Sequence, residues 1–588
     1  MPWNYIKHYL PKDCNQILLK RRKRVITEYC LHRNATLDTL ERLVEWCQVV
    51  GFDWKYLECN SIYINQDVLE YIVKRCPVDQ DHPFLTEAMG QACRYGYFST
   101  VKLIDSIKGV QLDLEAMKTA MDNACSNGFI DIVKYLHKHR TEGCTTYAMD
   151  NAARDGHLNI VKFLHLNRTE GCSKDNILYN AASNGHLDIV KFLYKHRTEE
   201  YSCYALDQAS RRGFIDVVKY LHFNRTEGAT HALDWAAECG HTDVVNFLHE
   251  HRTEGATTNA IDHASREGFI DIVKYLHEHR SEGASTDAMD WAAGNGHIEI
   301  VKFLSEHRTE GATTRAMDWA AECGRLEVIK FLHEHRTEGA TTEAMDMAAE
   351  NGHIEVVKFL FENRSEGCSE SIMDSPARNG DIEMLTYLVE TVKAECRSYT
   401  LEESLFSGKS LDTFYYLYDH FKEQSDIWTP EVMDRAAEFG HIEIVNLLSD
   451  HRTEGATTDA MNSAVANGHL EVVKFLHFNR SEGCTLRVID YASYLGSLEM
   501  ISFLVFNVLN KEEYEYDQEE LLLKVSDKGH YDIVKWMLEQ QFRDTLGEES
   551  IKRVIKEIKL HKRYGDHFEV RQLLKNHLKQ IQDTNNQE

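Results

Sequence analysis

Apolar positions in this chain come in short bursts with helical spacing, separated by polar turns, and the stretch Thr313–Ala340 shows the unit clearly. Ala316, Met317, Ala320 and Ala321 fall at i, i+1, i+4 and i+5, one face of a 3.6-residue period, and the alanine pair lets a neighbouring helix approach closely. Asp318 lies near the start of this first helix, where a carboxylate favours the positive end of the helix dipole. Asp recurs at 122, 150, 207, 234, 262, 290, 346, 374, 434 and 490. Gly324 ends the helix, because the chain must reverse through a left-handed conformation that glycine enters without steric cost. A second helix carries Leu326, Val328, Ile329, Phe331 and Leu332 as an apolar stripe, with Lys330 and Glu334 outside. His335 and Arg336 close it with positive charge against the carbonyl end, and Thr337-Glu338-Gly339 supplies the turn into the next unit.

The unit recurs. Arg140, Arg168, Arg197, Arg225, Arg252, Arg280, Arg308, Arg336 and Arg364 are 28 residues apart, with one gap of 29 and one of 27. The glycine that ends the first helix is found 16 times, at 96, 128, 156, 185, 213, 240, 268, 296, 324, 352, 380, 408, 440, 468, 496 and 529. Such self-similarity marks one supersecondary unit stacked on copies of itself. A single copy cannot bury its apolar faces, so stability is expected as a sum of repeat and nearest-neighbour terms, with atypical units capping the ends.

The stretch Ala348–Leu360, with its Gly352-His353 and Val356-Val357 pairs, resembles the ankyrin repeat, and the resemblance covers about residues 85 to 545. Two features differ from the family. Arg315-Ala316-Met317-Asp318 stands where the family has Thr-Pro-Leu-His, and the period is 28 instead of about 33. The missing residues fall between helix pairs, where the family forms a β-hairpin finger. The resemblance therefore implies an all-α, ankyrin-like helix-pair solenoid with trimmed or absent fingers.

Five segments are expected along the chain. Residues 1–84 form a helical cap or degenerate repeats, 85–368 a regular array, 369–428 divergent repeats, 429–545 a second array, and 546–588 closing helices with a polar tail. Pro376 replaces the first alanine of its pair, and Arg364 and Arg452 are 88 residues apart, four more than three periods. A hinge near 369–428 and a slightly irregular continuous stack both fit that pattern.

Composition narrows the function. With 94 acidic against 66 basic residues the net charge is −28, which repels a phosphate backbone. No nucleic-acid partner is expected. No apolar run approaches a membrane span, no signal peptide is expected, and none of the 15 cysteines forms a CxxC pair. Cys144, Cys172, Cys368 and Cys484 share a repeat position held elsewhere by Ala229, Ala256, Ala312, Ala340 and Ala456. A soluble protein of the cytoplasm, or of the nucleus, follows as the expectation. Lys20 to Arg24 is a basic run that suits either a nuclear import signal or a solvated helix face.

Several motifs invite chemistry. His249 and His251, His277 and His279, and His333 and His335 form His-x-His pairs, but residues at i and i+2 of a helix point about 200° apart, whereas helical metal pairs use i and i+4. No metal, cofactor or small-molecule substrate is expected. Gly408-Lys409-Ser410 has the tail of a phosphate-binding loop, but Glu403 stands where the motif needs its first glycine. The sequons Asn167-Arg168-Thr169, Asn224-Arg225-Thr226, Asn363-Arg364-Ser365 and Asn479-Arg480-Ser481 share the position that elsewhere reads His-Arg-Thr, and are expected to carry no glycan.

A contact surface is sought where the repeats disagree while the scaffold holds. The residues just before each glycine do this: Arg154-Asp155, Arg211-Arg212, Glu238-Cys239, Arg266-Glu267, Asn295, Glu322-Cys323, Arg378-Asn379 and Glu438-Phe439. The ankyrin resemblance implies that these line a concave face. A second candidate patch is Trp235, His263, Trp291, Trp319 and Met347, the residue after the recurring Asp in five successive units. Those side chains serve either inter-repeat packing or an exposed aromatic strip. The resulting expectation is a non-enzymatic, monomeric scaffold that binds an unidentified partner protein. The alternative is a substrate adaptor for an enzyme complex such as a ubiquitin ligase, docked through residues 1–84.

Overall fold

The structure is a computed structural model that describes residues 7, 19–32, 34–47, 52–57, 64–77, 83–108, 110–173, 176–196, 204–224, 231–253, 256–406, 411–509, 517–541, 546–558 and 566–585. Arg197, Arg225, Thr226, Ala229, Gly408, Lys409 and Ser410, among the residues singled out above, lie outside these. The described residues contain helices and turns and no strand. Contacts group the chain into two compact units, residues 1–292 with 299–311, and residues 293–298 with 312–588.

The first unit opens with the helices Leu19–Cys30, Leu37–Cys47, Trp54–Leu57 and Gln66–Val73. Within the first of these, Arg22 Nη1 of the basic run donates to Cys47 O at 3.0 Å. Helix pairs follow, from Pro83–Tyr95 with Phe98–Asp105 and Leu114–Ser126 with Ile130–His139 to Asn259–Glu267 with Ile270–His279. First helices pack on first helices and second on second. The alanine pair explains the close stacking: Ala152, Ala153, Ala236 and Ala237 are fully buried, as are Val133, Val161 and Val245 of the second helices.

The second unit repeats the plan from Arg315–Glu322 with Leu326–His335 to Gln518–Asp527 with Tyr531–Trp536, and ends with Glu548–Ile558 and Asp566–Asn585. Pro376 sits third in the shortened helix Asp374–Asn379, in a first turn whose N–H groups have no intrahelical acceptor anyway. In the next pair, Ser398–Ser404 with Asp412–Phe421, Trp428 is buried beside Phe414 and Tyr418 and donates its indole N–H to Phe421 O at 3.1 Å.

Each first helix of the regular repeats ends in a left-handed glycine, Gly324 at φ 68° for example. Conformation is half of the reason. A Cβ on Gly324 would lie 2.7 Å from Nδ1 of His353 in the next repeat, so the glycine also makes room for an incoming ring. His157 and His186, at the position of His353 in their own repeats, place Nε2 2.9 Å from Ser126 O and Arg154 O of the preceding repeat.

The recurring Asp does more than face a helix dipole. Asp234, Asp262 and Asp318 are buried, and each accepts from the residue 23 positions ahead, at the entrance to the next repeat. Thr257 gives Asp234 its backbone N–H at 2.8 Å and its hydroxyl at 2.9 Å. Thr341 does the same to Asp318, at 2.8 and 3.1 Å. The Thr341 hydroxyl in turn accepts the N–H of Glu343 at 3.2 Å, capping its own helix. This staple ties consecutive repeats where no β-finger is present among the described residues.

A second tie runs along the ends of the second helices. Arg364 pairs with Glu366, Glu366 accepts the backbone N–H of Ala340 one repeat earlier at 3.3 Å, and Arg364 Nη1 lies 3.4 Å from Nδ1 of His333. The same four-residue tie joins Arg308, Glu310, Ala284 and His277 in the first unit. The Arg308 and Arg364 hydrogen bonds hold the carboxyls of Glu310 and Glu366 down to about 2. The second imidazole of each His-x-His pair is engaged elsewhere: His335 stacks on Phe331 at 4.3 Å and its Nδ1 lies 3.0 Å from Phe331 O. Asn363 Nδ2 donates to Phe359 O at 2.9 Å, which explains why Asn and His interchange at this position.

Candidate protein-binding face

The residues before each glycine end the first helices, so packing of the alanine pair on one side leaves them on the other. Arg154, Asp155, Arg211, Arg212, Glu267, Asn295, Arg378 and Asn379 are exposed, and Glu238, Arg266, Glu322, Glu438 and Phe439 are half-buried. Trp235, His263, Trp291, Trp319 and Met347 are all half-buried, between the two states the sequence left open.

In the first unit the two candidate sets form one surface. The Arg211 guanidinium lies 5.6 Å from the ring centroid of Trp235 in the next repeat, and Arg266 lies 5.5 Å from that of Trp291, both within cation–π range. Glu238 receives Arg266 Nη2 at 3.1 Å and has His263 Nδ1 at 3.7 Å, and His263 tilts against Trp291 with centroids 5.6 Å apart. Arg266 also pairs with Glu267 at 2.7 Å. Arg154 makes a two-pronged contact with Asp155 at 3.0 and 2.9 Å. Burial pushes the Asp155 carboxyl up, but Arg154 and the Ser126 hydroxyl outweigh it and hold the group below its ordinary value. Arg212 donates to Asn184 Oδ1 at 3.2 Å.

In the second unit Trp319 packs over Gly294, where a Cβ would lie 3.0 Å from its own Cβ, and the Arg315 guanidinium is 5.7 Å from its ring. Arg378 pairs with Glu403 and lies 5.8 Å from the ring of Phe406. Asn379 donates to Glu350 O at 3.1 Å. Phe439 meets Phe406 edge to face at 5.4 Å, and Glu438 holds Arg435 at 2.7 Å.

Residues of the same register were missed. Arg94-Tyr95 precede Gly96, and Tyr494-Leu495 precede Gly496; Tyr494 is exposed under Lys528, whose Nζ is 4.9 Å from the ring. Gln91, Asn123 and Tyr491 stand at the position of the tryptophans. Counting back from the glycine finds them all, since each lies two, one or five residues before it.

A stack of paired helices with variable residues along the ends of the first helices defines a helical repeat protein with a lateral face. Two ankyrin-repeat family models match the chain, one of three copies at residues 149–227 and 261–346, and one of many copies at 233–277, 345–389 and 433–477. The chain is an ankyrin-repeat protein with shortened repeats. The search of curated proteins returned no match to it. Among solved structures, the pentatricopeptide repeat protein PPR10 in complex with an 18-nt psaJ RNA element is similar over 93% of this chain and 92% of that one, at 11% identity and a TM-score of 0.31. A likeness at that level carries no argument about this chain.

Proposed function

We propose that the chain is a non-enzymatic scaffold that holds a segment of a partner protein along the face formed by the ends of its first helices. Ankyrin repeats are in general protein-interaction modules. What supports this face is the pairing of Arg211 with Trp235 and of Arg266 with Trp291. Each pairing leaves a half-buried ring beside variable charges, on helices whose other sides are committed to packing. Trp and Arg are the residue types in which binding energy concentrates. The charges along the face are of both signs and the chain carries −28 overall, which suits a polypeptide better than a phosphate backbone. The proposed location is the cytoplasm or nucleus, whose reducing environment suits a chain in which Cys144, Cys172, Cys368 and Cys484 take a repeat position held elsewhere by alanine.

The test is affinity capture from the protein's own cell lysate with the parent chain and an Arg211→Glu/Arg212→Glu variant. Both arginines are exposed, whereas Arg266 and Arg378 are held by carboxylates and their reversal would disturb the repeats. The variant is expected to keep the parent's circular dichroism and unfolding midpoint and to lose the captured partners. Equal capture by a folded variant overturns the assignment.

A further inference from the structure

Arg211 ends the helix Tyr204–Arg211 and Arg212 follows it, and both are exposed. Their guanidiniums reach into opposite seams. Arg212 Nη1 donates to Asn184 Oδ1 of the preceding repeat at 3.2 Å, whereas the Arg211 guanidinium lies 5.6 Å from the ring centroid of Trp235 in the next repeat. A carboxamide and an indole thus hold the two groups in place without neutralising them. A guanidinium carries five N–H donors, and Arg212 spends one of them on Asn184.

Elsewhere on this face arginine is answered by carboxylate. Arg154 is paired with Asp155, Arg266 with Glu238 and Glu267, and Arg378 with Glu403. Around Arg211 and Arg212 the corresponding positions are uncharged: Asn180, Ser183 and Asn184 in the repeat before, and Gln208 in their own. The face acids to either side are committed. Glu238, one repeat ahead, holds Arg266 and has His263 Nδ1 at 3.7 Å. Asp155, two repeats back, holds Arg154 and accepts the Ser126 hydroxyl at 2.8 Å. Among the described residues neither Arg211 nor Arg212 meets a carboxylate, so two positive charges stand uncompensated on a chain of net charge −28.

We infer that this ridge binds an extended, acidic segment of a partner protein, with carboxylates two residues apart taken by Arg212 on one side of the helix end and by Arg211 on the other. The seams flanking one helix are separated by about one interhelical distance, roughly 8–10 Å. Side chains at i and i+2 of an extended chain stand on one face about 7 Å apart, and the flexible arms of Arg and Glu span the difference. Carboxylate matches guanidinium through paired, charge-assisted hydrogen bonds. A phosphate dianion suits the place less, because both arginines sit at the carbonyl end of their helix, where the dipole opposes concentrated negative charge. This rests on the reading of the first-helix face as the binding surface and deepens it by naming the chemistry of the partner.

The probe is the peptide acetyl-Ser-Glu-Ser-Glu-Ser-amide, observed by saturation-transfer NMR on the full chain at low salt. Three peptides run beside it: one with serine at every position, one with the two glutamates adjacent, and one with phosphoserine in place of both glutamates. Transfer is expected to the glutamate side chains of the probe, weaker to the adjacent isomer, whose neighbours face opposite ways when extended, and absent from the serine peptide. About 0.5 M sodium chloride should suppress it. Arg211→Gln and Arg212→Gln, which keep helix propensity, are each expected to weaken the signal by up to about fivefold, and the double variant to abolish it while keeping the parent's circular dichroism. No transfer to the parent, transfer equal to that of the serine peptide, or undiminished transfer to the folded double variant overturns the inference. Stronger transfer to the phosphoserine peptide overturns the choice of carboxylate, and equal transfer to the adjacent isomer overturns the spacing. The outcomes separate from those of the face itself. A parent whose captured partners depend on Arg211 and Arg212 but which takes no acidic peptide loses only the acidic assignment. A parent that takes the peptide through these arginines while capture ignores them loses only the wider face.

Discussion

At the residue scale, the buried carboxylates and the Arg-Glu pairs pull stability in opposite directions with pH. Asp318 is buried and accepts two hydrogen bonds from Thr341. Replacing it with Ala strands a buried N–H, at a cost of about 1–3 kcal/mol. Asn is expected to cost less, because Asn462 already does this work by accepting the N–H of Thr485 at 3.0 Å. Chemical denaturation of Asp318→Ala and Asp318→Asn checks this, and equal losses would mean that the negative charge, not the acceptor, matters. Burial raises the Asp318 pKa above 3.8 against the pull of its Thr341 bonds, so this group favours the folded state below 3.8 and loses that contribution as pH rises through its folded pKa. The Asn variant should therefore gain on the parent as pH rises from below 3.8 through the raised folded-state pKa of Asp318. Glu366 behaves oppositely. Its pKa falls from 4.5 to about 2, so its stabilisation is present above 4.5 and lost as pH falls toward 2. Glu366→Gln should cost roughly 1 kcal/mol at neutral pH after allowance for partial exposure, and the gap to the parent should close on acidification.

At the element scale, the two helices of each repeat and the glycine between them were legible in the sequence, since both depend on spacing within about 20 residues. The staples were not. Asp234 meets a residue 23 positions ahead and Glu366 one 26 behind, and nothing local marks those distances as contacts. The glycines illustrate the same division. Gly324 and Gly367 both have left-handed φ, at 68° and 75°, which sequence reasoning anticipates for a helix end and leaves unstated for the second turn. Their surroundings differ: a Cβ on Gly324 runs into His353, while one on Gly367 meets nothing within 4 Å. Gly367→Ala is expected to cost about 1 kcal/mol, the backbone penalty alone, and Gly324→Ala clearly more. Comparing their thermal midpoints decides it, and equal shifts would show that the His353 ring moves aside freely.

At the scale of the whole molecule, repeats joined to their neighbours by staples behave as a sum of local terms, so damage stays local. Asp234→Ala should raise hydrogen exchange in the helices Ala232–Glu238 and Asn259–Glu267 and leave the helix pairs several repeats away protected. Uniform loss of protection across the chain would show global two-state unfolding instead. The same modularity explains why the candidate face could be approached from sequence: position in the repeat translates into position on the face. It also explains what was overlooked, because Arg94 and Gln91 belong to a repeat whose Asp is replaced by Gly90 and so escaped the pattern.

The sequence by itself determined the repeat, its helix pair, the left-handed glycine between the helices and the side on which variable residues fall, because periodicity and steric preference act over a few residues. Only the tertiary structure decided that the recurring Asp reaches into the next repeat and that Arg211 and Arg266 cover tryptophans of their neighbours. Those outcomes depend on which side chains meet across a helix interface some 23 to 31 residues away in sequence, where distance along the chain carries no information about distance in space.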